Sequence, residues 1–245
     1  MWVIVTCDNK DVCQQTLNSA GEVEGNNLVV VNGGSDDYEG LVVPKGWEVL
    51  RVSETKGYHE ILNSIFNLFP DEAYYGVIPE NVIVQSVDWD EKIKSYSKNR
   101  YIVNCDDGNM ESFPFTGMRI WPGDLVRKIG YWGIPNLHTA GFDQGWIKIA
   151  WDVVLFERCL DVKLAYIPKL PSNMDTEAEK YKEQDKEVFD SWRKTEYYKT
   201  FRKLQFGGDK WRGRTNFTEG DKNGTIKDKQ ADASAQENGN GRQAL

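Results

Sequence analysis

Acids and amides gather at four places in the sequence: Asn32 to Asp37, Pro79-Glu80-Asn81, Asp106-Asp107-Gly108, and Asp143 just before Trp146. Several acids converging at one edge suit a ligand with a phosphate chain, since magnesium or manganese takes oxygens from one or two carboxylates and from phosphates. A lone carboxylate at such an edge can also act as a general base. The competing reading makes each cluster a solvated turn, because Asp, Asn and Gly populate turns for local reasons. Asp143 has a competing reading of its own, as the N-cap of the following helix. Other chemistries find little support. His59 and His138 are the only histidines, and no G-x-x-x-x-G-K-S/T or G-x-G-x-x-G loop is present. Cys7, Cys13, Cys105 and Cys159 have no C-x-x-C spacing, so packed, reduced thiols are expected and no zinc site.

Each cluster needs an element to place it. Val3-Ile4-Val5 and Leu28 to Val31 are short apolar runs that predict buried strands, the second ended by Asn32-Gly33-Gly34-Ser35-Asp36-Asp37. Trp47 to Val52 alternates as a third strand, and Ile61, Leu62, Ile65 and Phe66 fall at helical spacing in a helix from His59 to Phe69. Tyr74 to Ile78 and Tyr101 to Cys105 predict two more strands. Helices are expected from Asp124 to Tyr131 and from Gly145 to Leu160, then a last strand at Leu164 to Ile167. Strands alternating with helices give an α/β, mostly parallel sheet with helices on both faces, where ligands sit at the C-terminal strand ends.

The chain has 245 residues, 40% of them hydrophobic and 12% aromatic, enough for one large core and an appendage. The net charge of -8 argues against nucleic-acid binding over the whole surface. No apolar run approaches the roughly 18 residues of a membrane span. With no signal-peptide pattern at the N-terminus, the expected location is cytoplasmic. Composition shifts after Pro171. Three segments are expected: a catalytic domain over 1–171, a charged helical extension over 172–214, and a disordered tail over 215–245, where few apolar residues remain. Within the extension, Tyr181, Val188, Phe189 and Trp192 fall near helical spacing, on a helix from Asp175 to Leu204 that lies on the domain or meets a partner.

Three stretches together resemble the GT-A type glycosyltransferases, family 2-like, common in phages and bacteria: Lys56-Gly57-Tyr58 with Leu62-Asn63, Tyr74 to Val82, and Asp88-Trp89-Asp90. Trp121 to Gly130 resembles the family's acceptor-side segment, and Phe142-Asp143-Gln144-Gly145-Trp146 its acidic motif that carries the base in inverting members. The resemblance covers about residues 1–171. It implies a GT-A, Rossmann-like fold and transfer of a sugar from a nucleotide-diphosphate donor, a UDP-sugar foremost, to an acceptor hydroxyl. It also implies donor contacts from Thr6, Asp8, Asn32, Gly33, Ser35, Asp36, Lys56, Gly57, Asn63, Pro79, Glu80 and Asn81. Asp143 stands as the base, with Asp107 and Asp106 as second-choice acids, and Glu80 and Asn81 as the ligands of Mn2+ or Mg2+.

The chain departs from the family pattern twice. Glu80 and Asn81 stand where two aspartates are usual, and Lys169 stands where a histidine often completes the metal site. A lysine can neutralise a diphosphate as a point charge, so metal dependence is expected to be weak; otherwise Lys169 is a surface residue after Pro168. Bases and aromatics interleave over 192–214, from Trp192-Arg193-Lys194 to Lys210-Trp211-Arg212. Such a segment can track a nucleic-acid backbone, which would make modified DNA an acceptor, or it can dock its aromatics on the domain. Two rivals remain. One is a non-catalytic binding module that kept the fold. The other is a nucleotidyltransferase, whose usual Gly-rich N-terminal signature Thr6-Cys7-Asp8-Asn9-Lys10 does not supply.

Overall fold

The computed structural model describes residues 1–33, 38–97, 101–106, 117–152, 156–168, 173–197 and 199–200. Contacts divide the chain into Met1–Gly213 and Arg214–Leu245, and every described residue lies in the first unit. In order, the elements are β1 (Trp2–Thr6), α1 (Lys10–Ala20), β2 (Asn27–Asn32), β3 (Trp47–Val52), α2 (Tyr58–Leu68), β4 (Tyr74–Val77), β5 (Val82–Val84) and α3 (Trp89–Ser97). There follow β6 (Ile102–Asp106), β7 (Arg119–Pro122), α4 (Gly123–Ile129), α5 (Phe142–Asp152), β8 (Phe156–Tyr166) and α6 (Asn173–Lys194). Among the described residues no helix is long and apolar enough to cross a membrane.

The strands form one sheet in the order β3-β2-β1-β4-β7-β6-β8-β5. β3, β2, β1 and β4 run parallel, as do β6 and β8, whereas β7 is antiparallel to both β4 and β6, and β5 is antiparallel to β8. Parallel strands need helical crossovers on both faces, which is why β1 and β2 are buried at every position. The period of two in a strand sorts their side chains. Val3, Val5, Leu28, Val30, Tyr75 and Trp121 face one core with Ile61, Leu62 and Ile65 of α2, Leu125 of α4 and Trp146 of α5. Trp2, Ile4, Val29, Val31 and Ile120 face the other, with Cys13 and Leu17 of α1 and Trp89 and Ile93 of α3.

The mostly parallel α/β sheet anticipated from the sequence is the observed architecture. The helix expected from Gly145 to Leu160 is corrected. It ends at Asp152, and Phe156–Leu160 begins β8, where Cys159 pairs with Cys105 of β6. A short apolar run fits either element by periodicity alone, and from Phe156 onward pairing with β6 decides it. β5, β7, α1 and α3 were not foreseen. In the extension, α6 runs to Lys194, a turn falls at Thr195, and residues 196–197 and 199–200 are helical again; the rest of the helix expected to Leu204 lies outside the described residues, as do 201–245.

Candidate active site at the C-terminal strand edge

Because β1, β2, β3, β4 and β6 share a direction, their C-terminal ends meet at one edge, and antiparallel β7 brings its first residue, Arg119, to the same edge. At the end of β2, the Asn32 amide grips the β3–α2 loop in both directions. Its Nδ2 donates to Lys56 O and its Oδ1 accepts from Lys56 N, each at 2.9 Å. Gly33 follows with φ +108, a left-handed conformation that L side chains rarely adopt, and its N–H donates to Val52 O at 3.2 Å. Gly57 lets α2 press on the next segment: a Cβ there would lie 2.6 Å from His138 O. The Lys56 ammonium pairs with Glu60 at 2.5 Å.

At the end of β1, Thr6 is buried and shares a 2.5 Å hydrogen bond with the Tyr38 hydroxyl, which also accepts from Asn9 N. Asp8 sits at φ +59, and the Cys7 thiol donates to its carboxylate at 3.4 Å. At the end of β4, Glu80 is 8% exposed; its Oε2 accepts from Cys7 N at 3.3 Å and its main-chain carbonyl accepts from Thr16 Oγ1. The Pro79 carbonyl accepts from Val82 N at 3.1 Å, closing the turn that carries Glu80 and Asn81. The Asn81 amide donates to Ile167 O at 3.1 Å, beside a main-chain bond from Ile167 N to Asn81 O. Glu80 and Asn81 thus each make a main-chain contact through one side-chain atom, Oε2 and Nδ2. No group of three His, Cys, Asp or Glu able to hold a metal ion occurs among the described residues.

Asp143 lies in the first turn of α5 and is ion-paired to Arg119 Nη1 at 2.5 Å, with side-chain exposures of 40% and 9%. Arg119 also reaches Gly117 O and lies 5.9 Å from the Trp121 ring, so the guanidinium is fixed from three sides. The Tyr58 ring meets Phe142 edge-on, 5.3 Å between centroids. Burial holds its phenol well above the ordinary value, with Arg119 opposing the shift and Asp143 adding to it. A buried guanidinium, a part-exposed carboxylate and a phenol therefore share one corner of the strand edge.

Asn63 is placed differently from the other expected donor residues. Its carbonyl accepts from Trp132 N and Gly133 N, and its Nδ2 donates to Gly133 O at 2.8 Å, so it ties α2 to the 132–133 segment. Asp106 closes β6; Ser35, Asp36, Asp107 and Lys169 lie outside the described residues. The sequence reading missed Arg119 and Tyr58. The usable signal was a lone arginine within Met118-Arg119-Ile120-Trp121, since a charge inside an apolar strand needs a partner. Of the basic-aromatic segment, Trp192 and Tyr197 are buried against the domain. Trp192 Nε1 donates to the Tyr131 hydroxyl, and Lys148 lies 4.4 Å over the Tyr197 ring.

No protein-family model and no curated protein matches the sequence. Solved structures do match. A mannosyltransferase, PcManGT from Pyrobaculum calidifontis in complex with GDP-Man and Mn2+, superposes with a TM-score of 0.55 at 13% identity, over 68% of this chain and 56% of that one. S. aureus TarS in complex with UDP-GlcNAc gives 0.52 at 10% identity, over 68% and 58%. Glucosyl-3-phosphoglycerate synthase from Mycobacterium tuberculosis, with Mn2+, UDP and glucosyl-3-phosphoglycerate, gives 0.52 at 12% identity, over 72% and 74%. The chain spans less than two thirds of the length of the first two. At such identities the likeness is one of architecture, and by that measure the chain has the α/β fold of the GT-A glycosyltransferases.

Proposed function

We propose that the chain transfers a sugar from a nucleoside-diphosphate donor to an acceptor hydroxyl, with Asp143 as the general base. The observation that carries this reading is the Arg119–Asp143 pair, a part-exposed carboxylate held at the edge where five strands end. Asp8, Asn32-Gly33 and Lys56-Gly57 line the donor side in this reading, and Ser35 and Asp36, next in sequence after β2, are proposed to join them. The acceptor oxygen attacks the anomeric carbon as the bond to the diphosphate breaks. The hydroxyl proton passes to Asp143, and the leaving diphosphate keeps the electron pair. Arg119 sets the carboxylate's direction. Attack from the face opposite the leaving group inverts the anomeric centre.

Mn2+ or Mg2+ accompanies the nucleotide in the mannosyltransferase and the phosphoglycerate synthase named above. Such an ion offsets diphosphate charge when bound. Here Asn81 is an amide where the resembled family has a second carboxylate, so the proposed cation dependence is weak, with Lys169 taking over part of the charge; the alternative is that Asp106 or Asp107 restores the missing carboxylate and gives ordinary dependence. For DNA as acceptor, Trp192 and Tyr197 are buried in the domain and offer no stacking face, which leaves the exposed bases Arg193, Lys194 and Lys199 and the segment 201–214. The acceptor is therefore proposed only as a hydroxyl.

A non-catalytic binding module is the second reading, favoured by Glu80-Asn81 and Lys169 standing where the resembled family has two aspartates and a histidine. Isothermal titration with UDP and GDP, followed by donor turnover with and without a chelator, separates the two. Binding with turnover, and product of inverted configuration by NMR, supports the first reading. Binding without turnover across donors and acceptors leaves the second.

A further inference from the structure

We propose that Asp185 of α6 is a positioning residue that fixes the place of Asp143; its link to catalysis rests on the glycosyl-transfer reading above. Asp185 is 1% exposed and makes no ion pair among the described residues. Its carboxylate instead accepts from three consecutive main-chain N–H groups: Oδ1 from His138 at 2.7 Å, and Oδ2 from Thr139 and Ala140 at 2.8 Å each. Charge-assisted bonds to backbone N–H are among the stronger ones a protein makes. A buried carboxylate is tolerated only when it is satisfied in this manner.

The 138–140 segment is held from its other side by α2. His59 N donates to His138 O at 3.3 Å, and the His59 ring spans the gap, with Nδ1 accepting from Ile134 N at 2.9 Å and Nε2 donating to Ala140 O at 3.0 Å. Gly57 permits the close approach of that side. Tyr181, one turn before Asp185, stacks on the His138 ring at 3.9 Å. The helix α5 begins two residues after Ala140, and Asp143 lies in its first turn. Two helices thus clamp the short segment that sets where α5 starts, and with it the direction from which Asp143 meets Arg119. α6 is the last described element in the chain and adds no strand to the sheet.

The test uses the full chain and three variants: Asp185→Asn, which keeps size and loses charge; Trp192→Phe, which weakens α6 docking away from the segment; and Glu183→Gln on the exposed face. Hydrogen exchange and donor turnover are read together. In Asp185→Asn, amides 138–143 are expected to exchange at least tenfold faster while β1 and β2 are unchanged; kcat falls tenfold or more and the donor KM stays within twofold. Trp192→Phe lowers Tm without accelerating 138–143 and without moving kcat, and Glu183→Gln changes neither. Wild-type exchange at 138–143 in Asp185→Asn overturns the clamp, and fast exchange with unchanged kcat overturns its positioning role. Should Asp185→Asn fail to fold, residue-resolved exchange in the wild type decides: amides 138, 139 and 140 protected as strongly as those of α6 support the clamp, and exchange at open-loop rates overturns it. If the wild type turns over no donor, the glycosyl-transfer reading fails by itself, and the exchange result still decides the clamp.

Discussion

Asp143 and Arg119 answer different questions about one ion pair. Replacing Asp143 by Asn keeps the shape and removes the basic oxygen. Turnover is expected to fall by about 10²- to 10⁴-fold, the usual contribution of a general base, with nucleotide affinity unchanged. Loss of nucleotide affinity in that variant would move Asp143 from the acceptor side to the donor side. Gly57 tests the packing behind the pair. A Cβ at Gly57 would meet His138 O at 2.6 Å, and main-chain atoms cannot swing away as a side chain can. Gly57→Ala is therefore expected to cost about 1–3 kcal/mol, read as a lower midpoint in denaturant. An unchanged midpoint would mean that α2 and the 138–140 segment part easily.

Helices α2 and α6 do the positioning at the scale of elements. His59 is buried in α2, and desolvation lowers its imidazole from 6.5 to about 4, with the bond to Ala140 opposing. The unfolded chain takes up this proton below about pH 6.5, whereas the folded chain resists it until about pH 4. The contribution is complete above the upper value and is lost as pH falls through the window between them, on the order of 3 kcal/mol in all. Unfolding free energy measured from pH 7 to 4 should show this slope in the wild type and lose it in His59→Gln. An equal slope in both would assign it to carboxylates instead. In α6, Trp192 is 4% exposed, stacks on Phe189 and donates to Tyr131. Trp192→Ala is expected to cost about 3–5 kcal/mol, the range for a buried Trp, measured by chemical denaturation. A loss under 1 kcal/mol would show that α6 is held chiefly by its polar seam.

The proposed nucleotide binding belongs to the whole molecule, because the donor side in that proposal draws on the ends of β1, β2 and β3 together. A nucleoside diphosphate at a hundredfold excess over its Kd should stabilise the fold by about 2.7 kcal/mol, seen as a raised Tm. With an amide, Asn81, beside Glu80 where a second carboxylate would hold a cation, most of that shift should persist in chelator. A shift that needs Mn2+ would return the cation to the site through other acids.

Local pattern was enough for much of the fold. The apolar runs of β1 and β2 had no use except as strands buried on both faces, and the spacing of Ile61, Leu62, Ile65 and Phe66 fixed α2. Strand direction then put Asn32, Glu80 and Asp106 at one edge, and Asp143 was legible as an acid at a helix start. Tertiary contact decided the rest. Cys159 belongs to a strand because β6 offers it a partner at Cys105, which no window of neighbouring residues contains. Arg119 and Asp143 are 24 residues apart, and Asp185 lies 45 to 47 residues from the N–H groups it accepts from. A side chain's type states which bonds it can make; only the packed sheet and helices state which partner stands within reach.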